Sequence, residues 1–577
     1  MRHRLRAPLL TLAVTAATAV TAAPAVALDP TPSAVPDRIV LAATERADTT
    51  QAVTWRTDAG VGAGRAQIAR ADGGPTTTVD ATSDLLPVRF AGWSYGSRHH
   101  TATFTGLAPD TTYRYRVGDD GRWSGWRTLR TAPAPDDARP WTFLYFGDAQ
   151  NEILAKWPPV VRRAFATAPD ARLMLHAGDL VNNADRDDQW SEWFATLEGH
   201  VDRIPTITTA GNHEYSGDRL IRQYRAHFPV AATAGPMTAF RVDHGGVRFV
   251  SMNANDKAPW LTGQTAFLRD QLRDNPHRWS VVTFHQPVLS NSGDRDNPEV
   301  RDAFLPVLRE QGADLVLQGH DHTYGRGFVN ADRGDDPGVS TGPVFVTSNS
   351  GPKHYELSDP ADNSWTRNGA TRVVGFGRTS TFQTVRVERD RLVYRSYAGA
   401  RADGATAPGG VGDVVDAFTV TKGADGRRRV TEGVPADVPA EPAADRDGAP
   451  TGAGATGGTG STTAAGSGAT AARGRVTWRS VRAVRRTGAL RVRLRVPAKG
   501  RLTVRATSRG GRSFTATRTV RRTFRGRATS TVTLRPSVRA RRTLRDRRRL
   551  AVRVTARFRA ADGRTTTVRR SVTMRRR

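Results

Sequence analysis

The sequence predicts a multidomain protein: an N-terminal antiparallel β-sandwich, a central α/β domain with buried sheets, and a C-terminal basic all-β sandwich. Three observations carry this expectation. Residues 37–132 hold short alternating apolar runs (QAVTWRT, TATFTGL, TYRYRV) separated by Gly, Asp and Pro, the texture of small antiparallel strands. From Trp141 onward, strand-length runs (WTFLYF, ARLMLH, IPTITT, VRFVSM, WSVVTFH, ADLVLQGH) alternate with longer helical patterns. Past residue 475, LRVRLRV (490–496) and several similar runs set apolar residues strictly against arginine. A chain of 577 residues is too long for one core, which agrees with several domains.

Taken in order, residues 1–27 combine an arginine-bearing start, an apolar run and small residues at Ala25 and Ala27. They read as a secretory signal, so the mature protein is expected outside the cell, secreted or at the cell surface. No other apolar stretch approaches the roughly 20 residues of a bilayer span, so no integral membrane segment is expected. TAPAPDDARP (131–140) is a linker by its prolines and acids. The central domain, 140–421, includes helical patterns in ILAKWPPVVRRAFATA, QTAFLRDQLRD and VRDAFLPVLREQ, then the closing strands GPVFVTS, TFQTVRVER and RLVYRSY. Residues 432–474 form a Gly/Ala/Thr/Ser tether with too little apolar surface to order itself, and 475–577 form the arginine-rich β domain.

Composition narrows the chemistry. With no cysteine, disulfides are excluded and any metal must be held by His, Asp, Asn or Gln. The formal charge of +31 belongs to one segment: residues 473–577 carry 36 Lys plus Arg against two acids, which leaves −3 for everything before them. That segment is expected to hold a polyanion, such as an anionic cell-wall polymer, by counterion release. Few aromatics interleave with its arginines, which disfavours a platform for single-stranded nucleic acid.

Five motifs occur in order within the α/β segment: GDAQ (147–150), GDLVNN (178–183), GNHE (211–214), VTFH (282–285) and GHDH (319–322). Each follows an apolar run, where a strand ends and a loop begins, the usual address of functional groups in open α/β sheets. Gly-Asp alone is a common turn, but five motifs rich in Asp, His and Asn suit a pair of divalent cations about 3.5–4 Å apart. Aspartate can bridge such a pair, while His and Asn complete the shells without cancelling its charge. A serine hydrolase and a P-loop triphosphatase are excluded, since neither G-x-S-x-G nor GxxxxGK[ST] occurs.

On these motifs residues 141–355 resemble the calcineurin-like metallophosphoesterases, a fold of two sheets flanked by helices. TGLAPDTTYRYRVGD resembles the late strands of a fibronectin type III module, with Leu107, Tyr113 and Tyr115 as inward or corner positions. Together residues 37–420 are similar to the bacterial branch of the purple acid phosphatases. The resemblance implies hydrolysis of phosphate esters by a hydroxide generated between two metals. It places Asp179 as the bridge, Asp148 and His322 on the first metal, and Asn212, His285 and His320 on the second. His213 becomes the group that steadies the phosphoryl or protonates the leaving oxygen, oriented by Glu214 unless that glutamate is merely exposed. His244 in VDHGG, Arg326 in GHDHTYGRG and His354 in SNSGPKHY are further candidates to reach substrate.

The first metal site departs from the family pattern. The tyrosine that gives the purple enzymes their colour is replaced by Asn182, and the D-x-H histidine of other phosphoesterases by Gln150. Both are neutral amides, so the expected cofactors are two divalent ions, Mn, Zn or Fe, in a colourless enzyme. Phosphomonoesterase activity is the leading expectation. The alternatives are a phosphodiesterase of the same fold, or a catalytically impaired cell-surface binding protein anchored by the basic C-terminal domain.

Overall fold

A computed structural model describes residues 28–442, apart from 120, 230–237, 256–259, 294 and 337, and residues 477–575 with short interruptions. The signal-like segment 1–27 and residues 443–474 of the tether lie outside the described residues. The chain divides into two compact units, Met1–Gly452 and Ala453–Arg577.

At the front, nine strands between Asp37 and Arg130 form two antiparallel layers around Trp55, Phe104, Leu107, Tyr113, Tyr115 and Val117, all buried. The Tyr113 hydroxyl accepts the Ala108 N–H at 2.9 Å, which ties the turn before its own strand to the core. One layer does not stop at the domain border. Strand Asp37–Ala42 pairs in parallel with Thr206–Thr208, Ala42 opposite Thr206, so front and central strands share one 12-stranded sheet. At this junction Asp187 accepts from Arg38 at 2.7 Å, Arg56 at 2.8 Å and the Tyr95 hydroxyl at 2.6 Å, with Asp187 and both arginines buried.

The central domain is a four-layer stack. In the first sheet Trp141–Phe146, Leu173–His176 and Thr206–Thr208 run parallel, flanked by antiparallel Thr379–Val387. In the second, Val247–Ser251, Trp279–Phe284, Leu315–Gln318 and Val344–Thr347 run parallel. Strand periodicity sorts the side chains between layers. Phe143, Tyr145, Leu173 and Leu175 meet Phe249, Val281, Leu315 and Leu317 between the sheets. Leu144, Phe146 and Met174 face the other way onto Trp157, Val160, Trp190 and Trp193 of the helical layer. Helices Trp260–Arg273 and Pro298–Glu310 cover the second sheet through Leu268, Phe304 and Val307. All five sequence motifs emerge where parallel strands end, after Phe146, His176, Thr208, Phe284 and Gln318.

Three expectations need correction. The helical stretch at 153–168 is two helices, Ile153–Lys156 and Pro158–Thr167, because the proline pair lacks N–H donors and begins a new first turn. The central sheet continues past residue 421: Arg428–Glu432 pairs with Val414–Lys422, Val438 is buried, and Glu441 accepts from Arg395 and Tyr397. The tether therefore begins about ten residues later than its composition suggests. In the C-terminal unit, two antiparallel sheets of three and four strands enclose one apolar cluster, yet the unit is not all-β. Helix Val538–Arg547 buries Ala540 and Leu544, one turn apart on one face, and the good helix propensity of its arginines favours it. In strand Arg549–Ala560, Leu550, Val552, Val554, Ala556 and Phe558 are buried while Arg549, Arg553, Arg557 and Arg559 are exposed.

Candidate metal centre

The loops after the parallel strands bring together two overlapping groups, Asp179 with His285 and His320, and Asp148 with Asp179 and His322. Within each group the potential ligand atoms lie within 4.8 Å of one another. Asp179 belongs to both. Asp148, Asp179 and His320 all take left-handed backbone conformations, with φ of 48°, 53° and 74°, each directly after a glycine. Non-glycine residues occupy that region at a cost of about 1–3 kcal/mol each, a cost typically met at functional sites. Two of the glycines are required by close approach. A Cβ on Gly211 would lie 2.2 Å from Asp179 Oδ1, and one on Gly319 would lie 2.6 Å from Asp148 Oδ2. The glycines of GNHE and GHDH thus make room for carboxylates of two other motifs.

Two of the histidines, His285 and His322, are oriented from behind by backbone carbonyls. His285 Nδ1 lies 2.8 Å from the Ala177 carbonyl and its Nε2 3.2 Å from Asp179 Oδ2. His322 Nδ1 lies 3.1 Å from the Lys353 carbonyl, which leaves Nε2 toward Asp148 Oδ1, 3.7 Å away. His320 donates its backbone N–H to Asp148 Oδ2 at 2.7 Å, and its ring meets that of His285 edge-on. Donation from one ring nitrogen to a carbonyl fixes the tautomer that presents the other as a ligand.

The electrostatics call for cations. Burial and the neighbouring Asp179 push Asp148 well above the usual carboxylate range. Asp179 stays low despite burial because His285 and His213 face it. His285 in turn is raised, the two carboxylates overcoming the downward push of burial. Asp148 Oδ1 is buried and accepts no hydrogen bond. Two buried carboxylates, one with an orphaned oxygen, ringed by imidazoles whose free nitrogens point inward, form a donor set that fits two divalent ions.

Gln150 is wholly buried; Nε2 donates to Asp179 Oδ2 at 2.7 Å and lies 3.2 Å from His322 Nε2. Asn182 joins through its main chain, its carbonyl 2.6 Å from His213 Nδ1. Asn212, one residue after Gly211, is exposed. His213 donates its backbone N–H to Asp179 Oδ1 at 2.8 Å, and its Nε2 stands 3.8 Å from Asp179 Oδ2 with a fifth of the side chain exposed.

Other candidates lie elsewhere. His244 is not a substrate contact: it ends strand Phe240–His244, is buried, and packs on Trp141 with ring centroids 4.6 Å apart. Nor is Arg326 free for substrate, since its buried guanidinium is held by Asp416 at 2.8 and 3.0 Å and by Glu432 at 2.6 and 3.0 Å. Being near a motif in sequence did not aim either side chain at the site. His354 is half-buried beside Asn349, 3.3 Å from its amide nitrogen. Glu214, by contrast, is fully buried rather than exposed, accepting the N–H groups of Asp179 and Leu180 at 2.9 Å and of Gly211 at 2.6 Å. It binds the GDLVNN and GNHE loops together and supports Asp179, not the His213 ring.

Sequence reasoning missed three supporting residues. Asp321, between the two histidines of GHDH, is buried and accepts the Asn291 N–H and Arg295 Nη1, which pins that loop. Lys353 brings an ammonium to 3.5 Å from Gln150 Oε1. Neither Lys353 nor Arg295 lies in a motif, and only the positive charge of each was available as a signal.

Residues 36–131 match the purple acid phosphatase N-terminal domain, and residues 142–324 the calcineurin-like phosphoesterase family. An uncharacterized protein of Mycobacterium tuberculosis is 28% identical over 359 residues, 54% of this chain and 66% of that protein. Purple acid phosphatase 15 of Arabidopsis thaliana is 24% identical over 301 residues, 46% of this chain and 56% of its own length. The chain thus spans somewhat under two thirds of the length of these curated relatives. The structure of purple acid phosphatase PPD1 from yellow lupin superposes with a TM-score of 0.57 at 19% identity, over 68% of this chain and 75% of that one, and shares the fold. In order along the chain, residues 36–131 thus match a purple acid phosphatase N-terminal domain and residues 142–324 a calcineurin-like phosphoesterase domain.

Proposed function

We propose that this protein is a secreted phosphatase that hydrolyses phosphomonoesters with two divalent ions, Mn, Zn or Fe. The observation that carries this reading is the convergence of two ligand groups on one buried carboxylate, Asp179. Asp148, Gln150, Asn182 and His322 would serve the first ion, and Asn212, His285 and His320 the second. When bound, the pair supplies Lewis acidity toward the phosphoryl oxygens and lowers the pKa of water. The protein's own groups do the positioning. Asp179 is held by His213 N–H and by the Glu214 carboxylate beneath its backbone, so its oxygens are set before any ligand arrives. His213, its Nδ1 directed to the Asn182 carbonyl, offers Nε2 to the leaving oxygen as the proton donor.

The test is elemental analysis beside turnover of p-nitrophenyl phosphate and bis-p-nitrophenyl phosphate by the purified protein. About two metals per chain with preferential cleavage of the monoester is the expected result, and a colourless solution accompanies it. Preference for the diester would replace this reading by a phosphodiesterase. No metal and no turnover would leave a binding protein.

The C-terminal unit supports a second, separable role, retention on a polyanion at the cell surface, through the exposed arginines that alternate along Arg549–Ala560. Deleting residues 453–577 is expected to leave kcat/KM on p-nitrophenyl phosphate unchanged and to abolish salt-sensitive retention on a heparin column. Lost turnover would show that the two units are not functionally separate.

A further inference from the structure

Lys353 is one of five lysines in a chain that otherwise uses arginine for its cations. It lies in the loop after strand Val344–Thr347, where Gly351 donates its N–H to the Asp148 carbonyl at 3.0 Å. Its two ends do different things. The backbone carbonyl receives His322 Nδ1 at 3.1 Å and Asn349 Nδ2 at 2.9 Å, which orients a ligand histidine. The ammonium, 5.4 Å above the Tyr355 ring, reaches 3.5 Å from Gln150 Oε1. No carboxylate pairs with it among the described residues. The other cation at this rim, Arg295, is already committed, its Nη1 donating to the His320 carbonyl at 2.6 Å and to Asp321 at 3.2 Å.

On the first-site side, Lys353 therefore sets an ammonium beside the neutral amide of Gln150, within reach of the field of Asp148 but in no ion pair among the described residues. A phosphomonoester dianion differs from a diester in one more charged nonbridging oxygen, and a lysine is a compact point charge with three donors suited to such an oxygen. We propose that Lys353 binds that additional oxygen and thereby selects phosphomonoesters over phosphodiesters. This rests on the phosphoesterase reading above and deepens it by assigning the choice between ester classes to one residue. A diester fills the same position with an ester oxygen that bears no charge and a substituent that the ammonium cannot bind.

Lys353→Met tests this cleanly, since any substitution retains the carbonyl that orients His322 and methionine keeps most of the stem. The ratio of kcat/KM for p-nitrophenyl phosphate to that for bis-p-nitrophenyl phosphate is expected to fall about 10- to 100-fold. Metal content per chain should match the parent, and Lys353→Arg should recover part of the ratio. Equal losses on both esters would overturn the proposal. So would loss of metal with the ammonium, which would make Lys353 a support for Gln150. Thermal unfolding measured alongside separates either outcome from misfolding. A parent protein that hydrolyses neither ester would remove the phosphoesterase reading and this one together, a result seen before any variant is made.

Discussion

Asp179→Ala is expected to lower kcat on phosphate esters by at least about 10³-fold, some 4 kcal/mol of barrier, and to release bound metal. Asp179 is the one carboxylate common to both ligand groups. It also accepts the His213 N–H and the Gln150 amide, and it faces His285 at 3.2 Å. Removing it leaves His285 without its nearer anion and separates the two halves of the site. Asp179→Asn separates charge from shape, because an asparagine carbonyl can still accept the His213 N–H while the bridging charge is gone. The same loss of turnover with an unchanged melting temperature is the expected result for that variant. Turnover within about 10-fold of the parent, with metal retained, would show that Asp179 does not bridge.

Asp187→Ala is expected to destabilise the fold by about 3–5 kcal/mol although the residue takes no part in the chemistry. It is 1% exposed and neutralises two buried guanidiniums, Arg38 and Arg56, with the Tyr95 hydroxyl as a third donor. Deleting the anion strips Arg38 of its carboxylate in the junction between the front and central domains and leaves Arg56 with Asp37 alone, at 2.5 Å. A fall in the denaturant midpoint with unchanged m-value would record this. Despite burial, Arg38 and Arg56 hold the Asp187 carboxyl well below the usual range. Its folded pKa lies under its unfolded value near 3.9, so its contribution is complete above about pH 5 and is lost as pH falls through the folded pKa. The parent should lose stability on acidification through this window, and Asp187→Ala should lose less. Equal acid sensitivity in both would assign the effect to other carboxylates.

Much of the central domain was legible in the sequence because its strands are buried on both faces and read as near-continuous apolar runs. Four of the five motifs were legible by the glycine that opens them, and Gly211 and Gly319 show why it is needed: a carboxylate occupies the space a Cβ would take. Burial and direction were not legible. Glu214 reads as a helix-start glutamate until three backbone N–H groups are seen to converge on it. Arg326 and His244 read as site residues by proximity to motifs, yet Arg326 is consumed by acids 90 and 106 residues later in the chain. Lys353 carried no pattern at all, since what brings it to Gln150 is the packing of two sheets, its loop following Val344–Thr347 of the second and Gln150 following Trp141–Phe146 of the first.

The pairing of Ala42 with Thr206 has a consequence for how the chain is made. Strand Asp37–Ala42 leaves the ribosome about 160 residues before its partner, a wait of roughly 8–30 s at ordinary rates of synthesis. Throughout that interval one side of it is an open row of donors and acceptors, the kind of edge that recruits wrong neighbours. Arg38 sits on this strand, and charge is a common guard for such an edge. The two segments recognisable as separate families are therefore late to become one body, and a fragment beginning at Trp141 would meet the cell with the Thr206–Thr208 edge permanently unpaired.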